Sequence, residues 1–343
     1  MSQETVKNTN PEVTISLVIW NSENDLPEFF NTLKKQTYKN YKVIVVDNNS
    51  SDASVEYVNQ NYPEYKLIRN KENLGYGAAH NQVIKEALTP FVLVANPDIR
   101  LNEHFLEVLV SYIKKDKTLG SVGSKLIKFS GSLNVKRVSD IIDSVGIKAY
   151  KNRRFVDRGE GEADQGQYNY TEEVFGISGA LVLFRKEALE DVVLNGKQYF
   201  DEDFFMYKED IDLAWRLRLR CWKNYYVYEA SAWHRRSSQT NTDSNDLQVV
   251  KNRSKKFALI NGYSYRNHWY TLIKNESLLN LLLFSPWITW YELKKAVFVF
   301  LFEPRTLFLS LLSVKKLLSI IRKRIYIQKR VLADSKEIRK WFK

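Results

Sequence analysis

The stretch "VTISLVIWNSENDLPEFFNTLKKQ", residues 13–36, decides the fold class of this chain. Its first part, Val13–Trp20, is a β-branched and aliphatic run bounded by turn residues, which predicts a strand buried on both faces of a parallel sheet. The remainder has the spacing of an amphipathic helix, with apolar residues at Leu26, Phe29, Phe30 and Leu33. We therefore predict a buried strand that leads directly into a helix packed on the sheet.

The same alternation of strand and helix continues along the chain. The segments "YKVIVVD", "YKLIRN" and "FVLVANPD" read as further strands, and "SVEYVNQNY" and "GAAHNQVIKEAL" as the helices between them. Together these segments predict an α/β domain with a doubly wound, mostly parallel sheet. After the helix "HFLEVLVSYIKK", the stretch from about Leu119 to Glu173 reads as less regular, and residues 153–170 within it as a mobile loop.

Polar turns follow each of these predicted strands. Ligands of doubly wound sheets bind beyond the carboxyl ends of the strands, although Asn, Asp, Gly and Ser are also the residues that any tight turn favours. A carboxylate such as Asp47 can accept hydrogen bonds from a pyrimidine or a ribose, and Gly75 permits close backbone approach. We expect a nucleotide to bind at this edge, with contacts from Trp20, Asn21, Asp47, Asn49, Asn73, Gly75, Tyr76, Asn81 and Asn96.

Asp98, in "ANPDIR", follows the last of these strands. Carboxylate oxygens are hard ligands that suit Mg²⁺ or Mn²⁺, and these ions complete their coordination with water and substrate phosphates. The alternative role for Asp98 is to cap the turn or the following helix. The neighbouring polar loops favour the metal-binding role.

A second chemical signal is "FDEDFFMYKEDIDLAWRLRLRCW", residues 200–222, where acidic side chains lie among aromatic ones. If "DIDLAWRLRLRCW" is one helix, Asp212, Arg216 and Arg220 share a polar stripe, whereas Asp210 projects onto the apolar side. A carboxylate that is shielded from water has a raised proton affinity and can serve as a general base. The alternative is a set of acidic residues favoured by the dipole of a helix N-terminus.

The 343-residue chain carries 52 Lys+Arg and a formal net charge of +12. Such a charge predicts an anionic partner, which is a nucleic acid, an acidic lipid or a phosphorylated substrate. The single cysteine, Cys221, allows no internal disulfide and suits a reducing compartment. The first residues show no basic and then apolar leader, so the expected location is cytoplasmic.

The C-terminal part, residues 263–343, is apolar, aromatic and basic together. Its longest uncharged run, Ser277–Tyr291, is shorter than the roughly 20 residues that span a bilayer. Basic and aromatic side chains suit helices that lie in the lipid headgroup region, and they are Trp287, Trp290, Trp341, Lys294, Lys295, Lys315, Lys316, Arg322, Lys323 and Arg324. The alternatives are a helical subdomain packed on the first domain and, without any recognition motif to support it, nucleic-acid binding.

Taken in order, "DNNSSD", "NLGYGAAHN", "NPDI", "SGALVLFRKEAL" and "FDEDFFMYKEDIDLAWRLR" resemble the motifs of family 2 glycosyltransferases, which have the GT-A fold. The pattern is most similar to bacterial rhamnosyltransferase-like members that build cell-surface polysaccharides, and it covers about Val13 to Ser238. The resemblance implies an inverting glycosyltransferase of cell-envelope polysaccharide biosynthesis. Such an enzyme moves rhamnose or another hexose from a dTDP- or UDP-linked donor to a saccharide or lipid-linked saccharide.

The resemblance also implies roles for individual residues. Asp210 matches the catalytic base, with Glu209 beside it. Asp98 matches the site of Mg²⁺ or Mn²⁺ and His234 a further metal ligand, although "NPD" keeps one carboxylate where many relatives have two. Contacts to donor or acceptor are implied for Gly179, Trp215 and Arg235.

The predicted organisation is an N-terminal extension at residues 1–12, a GT-A catalytic domain at 13–262 and a basic, amphipathic helical region at 263–343. The protein is expected as a peripheral protein on the inner face of the cell membrane, as a monomer or an oligomer, without nucleic acid. Two alternatives stay open, a nucleotidyltransferase on a similar sheet and a non-catalytic membrane-bound scaffold. The intact "ED" and "NPD" disfavour the scaffold.

Overall fold

The computed structural model describes residues 10–129, 138–235, 258–311 and 316–343. Its first part confirms the predicted alternation of strands and helices. The first helix carries a proline in its first turn. Backbone N–H groups of a first turn have no acceptor within the helix, so the proline removes no helical hydrogen bond. The elements are β1 (Val13–Ile19), α1 (Leu26–Lys34), β2 (Tyr41–Asp47), α2 (Ser54–Asn61), β3 (Lys66–Arg69), α3 (Tyr76–Glu86) and β4 (Phe91–Ala95).

These strands form the parallel half of one large sheet, in the order β3–β2–β1–β4. Every residue of β4 is buried, as expected for a strand that is covered on both faces. Alternate side chains of a strand point to opposite faces. Leu93 accordingly packs in the core beneath α1, whereas Val92 and Val94 pack in the core beneath α3.

The second half of the sheet adds antiparallel strands. Its elements are β5 (Ile99–Leu101), α4 (Phe105–Lys115), β6 (Leu119–Phe129), β7 (Val138–Ser144), β8 (Ile147–Ala149), β9 (Phe155–Asp157), β10 (Glu172–Glu173), β11 (Leu181–Arg185), α5 (Lys186–Asp191), α6 (Glu209–Leu219) and β12 (Lys223–His234). Strand β11 lies between β4 and β6 and is antiparallel to both. Strands β6 and β12 are parallel, so the doubly wound sheet is mixed.

The prediction of a less regular stretch between Leu119 and Glu173 is wrong. Strand β6 lies inside the sheet, between β11 and β12. Within the predicted mobile loop, β9 pairs with β8, and Asp164 forms an ion pair of 2.8 Å with Lys125. The segment "GSVGSK", residues 120–125, has little intrinsic preference for a strand. Its strand conformation depends on burial between neighbours that are distant in sequence.

The C-terminal part consists of α7 (Ala258–Asn275), α8 (Leu278–Phe302), α9 (Pro304–Leu311), α10 (Leu317–Gln328) and α11 (Ser335–Arg339). The predicted domain boundary after residue 262 falls within α7. Helix α7 packs against α6 and α10, so these helices adjoin the acidic segment singled out above. None of the described helices is long and apolar enough to cross a membrane.

A buried ion cluster joins the C-terminal helices to the first domain. The ammonium of Lys274 lies between Asp201 and Asp212, 2.8 Å from Asp212 Oδ1, and all three side chains are fully buried. From α10, Lys323 pairs with Asp201 and, at 2.7 Å, with Asp203. Much of the unusual acidity of residues 201–212 is therefore compensated by lysines from helices that follow it in sequence.

The cluster also changes the interpretation of α6. The predicted polar stripe is not a solvated face, because Asp212 is fully buried and Arg216 is 2% exposed. Arg216 Nε donates to Asp212 Oδ2 over 2.9 Å, and its other nitrogens donate to the carbonyls of Val192 and Tyr199. Helical periodicity shows that these residues share a face, but it does not show that a second layer of helices covers that face.

The basic residues of the C-terminal part fall into two groups. Lys323 is buried in the ion cluster, Arg324 donates to the carbonyls of Ile273 and Glu276, and the ring of Trp341 is covered by a guanidinium of α6 at 3.6 Å. For these positions the expectation of a headgroup contact is wrong, because their charges or rings are used inside the fold. The exposed group contains Trp287, Trp290, Lys294, Lys316 and Arg322, and Lys315 and the polar loop from residue 236 onward lie outside the described residues.

We predict that Lys274→Met destabilises the protein by about 3–5 kcal/mol, because it leaves two buried carboxylates without their shared cation. Urea unfolding followed by circular dichroism measures the change. The matched control is Lys340→Met, which removes an exposed pair with Glu337 and should cost less than about 1 kcal/mol. Equal effects of the two substitutions would show that the buried cluster does not hold the helices in place.

Candidate functional site

The loops after β1 and β2 meet at the carboxyl edge of the parallel strands. Asp47 is 2% exposed, and its Oδ1 accepts a hydrogen bond of 3.0 Å from the Ser50 amide. Asn21 and Asn49 have positive φ angles of 50° and 67°, which Asn tolerates better than most residues. Trp20 is 55% exposed in the same region. The structure thus brings together four of the predicted nucleotide contacts and leaves an indole face open for stacking.

The loop before α3 is held by the side chain of Asn48. Asn48 Nδ2 donates to Asn73 Oδ1 over 2.9 Å, and Asn48 Oδ1 accepts from the Leu74 amide over 3.1 Å. Gly75 has a φ of 84°, and a Cβ there would lie 2.4 Å from the carbonyl oxygen of Phe205. Only glycine fits this contact, so the loop is fixed against the segment that leads into α6.

Asn81 does not belong to this group, and its predicted nucleotide contact is wrong. The side chain is fully buried. Its Nδ2 donates to the Phe200 carbonyl over 2.8 Å, and its Oδ1 accepts from the Phe200 amide over 2.9 Å. Both polar atoms of the amide are used to hold the acidic segment against α3, so Asn81 has a structural role.

Asp210 lies at the junction of three chain segments. Its Oδ2 accepts a hydrogen bond of 3.0 Å from the Gly179 amide, and its Oδ1 accepts one of 2.8 Å from the Ile211 amide. Tyr76 donates its hydroxyl to the Gly179 carbonyl over 2.5 Å. A Cβ at Gly179 would lie 3.2 Å from Asp210 Cβ, so this approach favours glycine. The predicted residues Tyr76, Gly179 and Asp210 are therefore in contact.

The two neighbouring carboxyls of α6 differ in their surroundings. Glu209 is buried, and its Oε2 has no hydrogen bond within the described ranges. Burial and the charge of Asp210 raise the pKa of Glu209 to about 8. Burial also raises the pKa of Asp210, and Asp157 adds to this effect, while the amides of Gly179 and Ile211 oppose it. Because Asp210 is partly exposed, it is the carboxylate that a substrate can reach.

Asp98 and His234 lie together, as the sequence predicts for a metal site. His234 Nε2 is 3.3 Å from Asp98 Oδ1, and its Nδ1 is 2.7 Å from Asp143 Oδ2. Burial lowers the pKa of His234, but the bonds to Asp143 and Asp98 outweigh burial and raise it to about 9. Asp143 fixes the orientation of the imidazole, which is a common arrangement behind a metal-ligating histidine.

The donor set fits a divalent cation that is shared with a substrate. Asp98 Oδ1 is buried and lies 3.3 Å from His234 Nε2, with no other hydrogen-bond partner in the part of the chain that the structure describes. Within the same residues no group of three His, Cys, Asp or Glu side chains is placed to hold a metal ion. Mg²⁺ and Mn²⁺ sites that use one or two protein ligands are completed by water and substrate phosphates. Asp98 and His234 are sufficient for such a site.

A cavity of about 270 Å³ adjoins Asp98, and it is lined by Asn24, Asp25, Glu28, Pro97, Asp98, Ile99, Arg100, Phe129 and Arg235. Arg235 forms an ion pair with Asp25, and its backbone amide donates to the Asp98 carbonyl over 2.9 Å. The predicted substrate contact at Arg235 therefore lies beside the candidate metal ligands. The neighbouring Arg236 lies outside the described residues.

Trp215 is not part of the site, and its predicted donor or acceptor contact is wrong. The side chain is fully buried. It packs against Phe342, Phe155 and Phe175 with ring centroids 5.2, 5.7 and 5.9 Å away. Phe342 comes from the last residues of the chain, so Trp215 belongs to the core between the first domain and the C-terminal helices.

The remaining predicted contact, Asn96, joins the two parts of the site. Its backbone amide donates to the Ala180 carbonyl over 2.9 Å. Ala180 directly follows Gly179, and Asn96 lies two residues before Asp98. Asp98 closely follows β4, and Asp210 contacts Gly179 shortly before β11, so this strand pair lies beside one candidate metal ligand and the candidate base.

Helix α7 supports the segment that precedes Glu209. Asn267 Nδ2 lies within 2.9 Å of the carbonyl oxygens of Phe204, Met206 and Tyr207. Local sequence carries no signal for this role, because Asn267 lies in a helix that the sequence places in a separate region. The buried Asp143 likewise has no local signal, since β7 lies in a stretch that reads as irregular.

Residues 14–193, just over half of the chain, match the family described as glycosyl transferase family 2. The chain is 28% identical over 234 residues to an N-acetylglucosaminyl-diphospho-decaprenol L-rhamnosyltransferase of Mycobacterium tuberculosis, covering 64% of this chain and 74% of that protein. It is 25% identical over 224 residues to a poly-beta-1,6-N-acetyl-D-glucosamine synthase of Staphylococcus aureus, covering 64% of this chain and 49% of that protein.

Among solved structures, the fold is similar to GalNAc-T7 with UDP, GalNAc and Mn²⁺, with a TM-score of 0.56 and 13% sequence identity. The alignment covers 78% of this chain and 48% of that chain. The chain thus spans about half the length of this structural relative and of the synthase. At this identity the similarity shows the GT-A fold.

Proposed function

Because the chain belongs to glycosyl transferase family 2, we propose that it is an inverting hexosyltransferase in which Asp210 is the catalytic base. The observation that carries this proposal is the position of Asp210. It is partly exposed, it contacts Gly179, and Gly179 adjoins the strand pair that also positions Asp98. Family membership favours sugar transfer over both a nucleotidyltransferase and a non-catalytic scaffold.

The donor is a dTDP- or UDP-linked hexose such as rhamnose. Its base and ribose are assigned to the group of Trp20, Asn21, Asp47 and Asn49, where an open indole and a buried carboxylate lie close together. Its diphosphate lies toward the cavity beside Asp98, where Arg235 supplies positive charge. Asp98 and His234 would hold a divalent cation, which would supply stabilisation of the negative charge on the departing nucleoside diphosphate.

Asp210 accepts the proton of the acceptor hydroxyl as the acceptor oxygen forms a bond to the anomeric carbon. The bond from that carbon to the donor phosphate breaks, and its electron pair leaves with the nucleoside diphosphate. Attack from the face opposite the leaving group inverts the anomeric centre. The raised pKa of Asp210 means that its carboxylate binds a proton more tightly, as a general base must.

The acceptor is a saccharide carried on a diphospho-lipid. This assignment follows the rhamnosyltransferase relative, whose name specifies such an acceptor. It is also consistent with the outer surface of α8, where large apolar side chains are exposed to solvent. They are Leu278, Leu279, Leu282, Leu283, Trp287, Trp290, Leu293, Val297, Phe300, Leu301 and Phe302. We propose that this apolar face binds the cytoplasmic surface of the cell membrane, with the nearby exposed lysines and arginines facing anionic headgroups.

We predict that Asp210→Asn lowers the turnover of sugar transfer by at least about 10², because it removes the general base but keeps the shape of the side chain. Release of nucleoside diphosphate in the presence of acceptor measures turnover, and calorimetry measures donor affinity, which should stay within about threefold of wild type. A variant that keeps more than about a tenth of wild-type turnover would contradict the assignment.

The pH dependence provides an internal control for this prediction. Asp210 must be unprotonated to accept a proton, so wild-type turnover should rise with pH as the Glu209–Asp210 pair loses its shared proton. Glu209→Gln keeps Asp210 in place and should retain a rising profile. The residual activity of Asp210→Asn should lack this rise.

We predict that Asp98→Ala removes most of the increase in UDP or dTDP affinity that Mn²⁺ produces, because the diphosphate and the cation would lose a shared carboxylate. Isothermal titration of the nucleotide with and without Mn²⁺ measures this. Glu187→Ala, at an exposed position of α5, is the control and should behave as wild type. The same metal dependence in Asp98→Ala and wild type would assign Asp98 to the turn alone.

We predict that the full-length protein sediments with anionic liposomes, and that Trp287→Ser combined with Trp290→Ser weakens this binding at least about tenfold. The two indoles are 52% and 65% exposed, so the loss reflects lipid contact and not unfolding. Salt should weaken the electrostatic part, since screening shortens the reach of each charge to roughly 10 Å at about 0.1 M. The part of liposome binding that comes from burial of apolar side chains should persist at high salt.

Point substitutions are preferable to truncation in this experiment. A chain that ends near Tyr263 would lack Lys274 and Lys323 and would leave Asp201 buried without its partners. The matched control is Leu88→Ser, because Leu88 is 93% exposed and precedes β4 at the opposite end from the polar loops. Wild type that stays in the supernatant with anionic liposomes would exclude the proposed membrane contact.

A further inference from the structure

The side chain of Tyr76 lies beside the candidate base, and the mechanism above gives it no role. Its hydroxyl donates to the Gly179 carbonyl over 2.5 Å. On the other side of the same glycine, the Gly179 amide donates to Asp210 Oδ2 over 3.0 Å. A single glycine therefore connects the hydroxyl of Tyr76 to the carboxylate of Asp210.

The backbone of Gly179 depends on such contacts for its orientation. Glycine has no side chain that restricts its backbone dihedral angles, so neighbouring contacts determine where its N–H points. A Cβ at Gly179 would lie 3.1 Å from Tyr76 Oη and 3.2 Å from Asp210 Cβ. The missing side chain lets both residues approach closely, and the hydrogen bond from Tyr76 restricts the rotation that glycine would otherwise allow.

The ring of Tyr76 is itself held by buried neighbours. It lies edge-on to His80, one turn later in α3, and to Phe200, with ring centroids 4.5 and 5.6 Å away. His80 is fully buried, and its Nδ1 is 2.7 Å from Ser16 Oγ of β1. The Tyr76 amide also donates to the Phe205 carbonyl over 2.8 Å. A continuous set of contacts from β1 through α3 therefore gives the Tyr76 hydroxyl a defined position.

The Tyr76 hydroxyl remains protonated while carboxyl groups titrate. Burial raises the pKa of Tyr76 well above its usual value, and the charges of Glu209 and Asp210 add to this effect. The other titratable groups that act on the Glu209–Asp210 pair are Lys208, which precedes it, and Asp157 of β9. A protonated phenol is a hydrogen-bond donor, so the hydrogen bond from Tyr76 persists whether or not Asp210 carries a proton.

We propose that Tyr76 is a positioning residue for the base, because its hydroxyl holds Gly179 in the orientation that directs the Gly179 amide at Asp210. The inference rests on the proposed function and adds a residue to its site. A hydrogen bond from an amide stabilises the charged form of a carboxylate, and here it also fixes one carboxylate oxygen. The sequence alone predicts a nucleotide contact at Tyr76, and the two roles differ in what removal of the hydroxyl changes.

Titration of Asp210 in the full-length protein tests the positioning role without a substrate. Nuclear magnetic resonance follows isotope-labelled aspartate carboxyl carbons, and the Asp210 signal is the one that Asp210→Asn removes. Tyr76→Phe keeps the ring and removes the hydroxyl, so it should raise the pKa of Asp210 as the Gly179 amide loses its fixed orientation. The matched control is Tyr112→Phe, which removes a hydrogen bond of 2.6 Å to Glu229 and should leave this pKa unchanged.

A second variant acts on the same contact from the glycine. Gly179→Ala places a Cβ between Tyr76 and Asp210 and should also raise the pKa of Asp210. Circular dichroism checks that each variant is folded, and Gly179→Ala decides the result if Tyr76→Phe is not. An unchanged Asp210 pKa in folded Tyr76→Phe protein overturns the proposal.

Transfer assays with dTDP-rhamnose and a saccharide diphospho-lipid measure the effect on catalysis. Loss of one neutral hydrogen bond in Tyr76→Phe should lower kcat about three- to tenfold. The rising part of the pH profile should move to higher pH, because the base must be unprotonated. UDP affinity, measured by calorimetry, should stay within about twofold of wild type. Weaker UDP binding with an unchanged kcat would assign Tyr76 to the nucleotide and overturn the proposal.

The double variant separates this inference from the proposed function. In Asp210→Asn protein, Tyr76→Phe should change turnover by less than about twofold, because two residues that act through one contact are not additive. Wild type that transfers no sugar, or Asp210→Asn protein that keeps its turnover, contradicts the proposed function. Full additivity of the two substitutions, with Asp210→Asn inactive as expected, overturns only the positioning role. The titration needs no substrate, so it gives a result in every case.

Discussion

Lys274 carries an ammonium group that is fully buried between two carboxylates, and the position of the segment that contains the candidate base depends on this contact. Removing a charge from water costs several kcal/mol, so such a group is stable only where opposite charges surround it. Lys274 comes from α7, whereas Asp201 and Asp212 come from the segment that contains the candidate base. If the first domain and the C-terminal helices separated, these charges would be exposed to water or left buried without a counter-ion.

This constraint divides the acidic residues of the segment into two functional groups. Asp201, Asp203 and Asp212 face lysines or arginines and are structural. Glu209 and Asp210 are consecutive at the start of α6, and Asp210 contacts the turn at Gly179. Neither carboxyl has a cation within ion-pair distance in the described ranges. Burial without a counter-ion raises the pKa of Glu209 to about 8 and raises that of Asp210 as well. One acidic stretch thus supplies both the attachment of the helices and the candidate proton acceptor.

The C-terminal helices have two opposite faces with different chemistry. Their inner face carries Lys274, Lys323 and Asn267, which hold the loop before α6 in a backbone conformation that its residues do not favour. The outer face of α8 is rich in exposed leucine and tryptophan. In the proposed function, this single helical layer supports the loop before the candidate base on one face and contacts the lipid on the other.

Local pattern in the sequence determined the parallel half of the sheet and the identity of several site residues. Strands such as Val13–Ile19 and Phe91–Ala95 are continuous apolar runs, and a run buried on both faces needs no distant information to be recognised. The motif around Asp210 and the grouping of Asp98 with His234 were also predictable, because these residues resemble the motifs of family 2 glycosyltransferases. Tertiary structure alone decided the strand at Leu119–Phe129, the buried position of Arg216, and the core positions of Asn81 and Trp215. In each of these cases, the conformation or burial depends on partners distant in the chain, and periodicity along one segment carries no information about them.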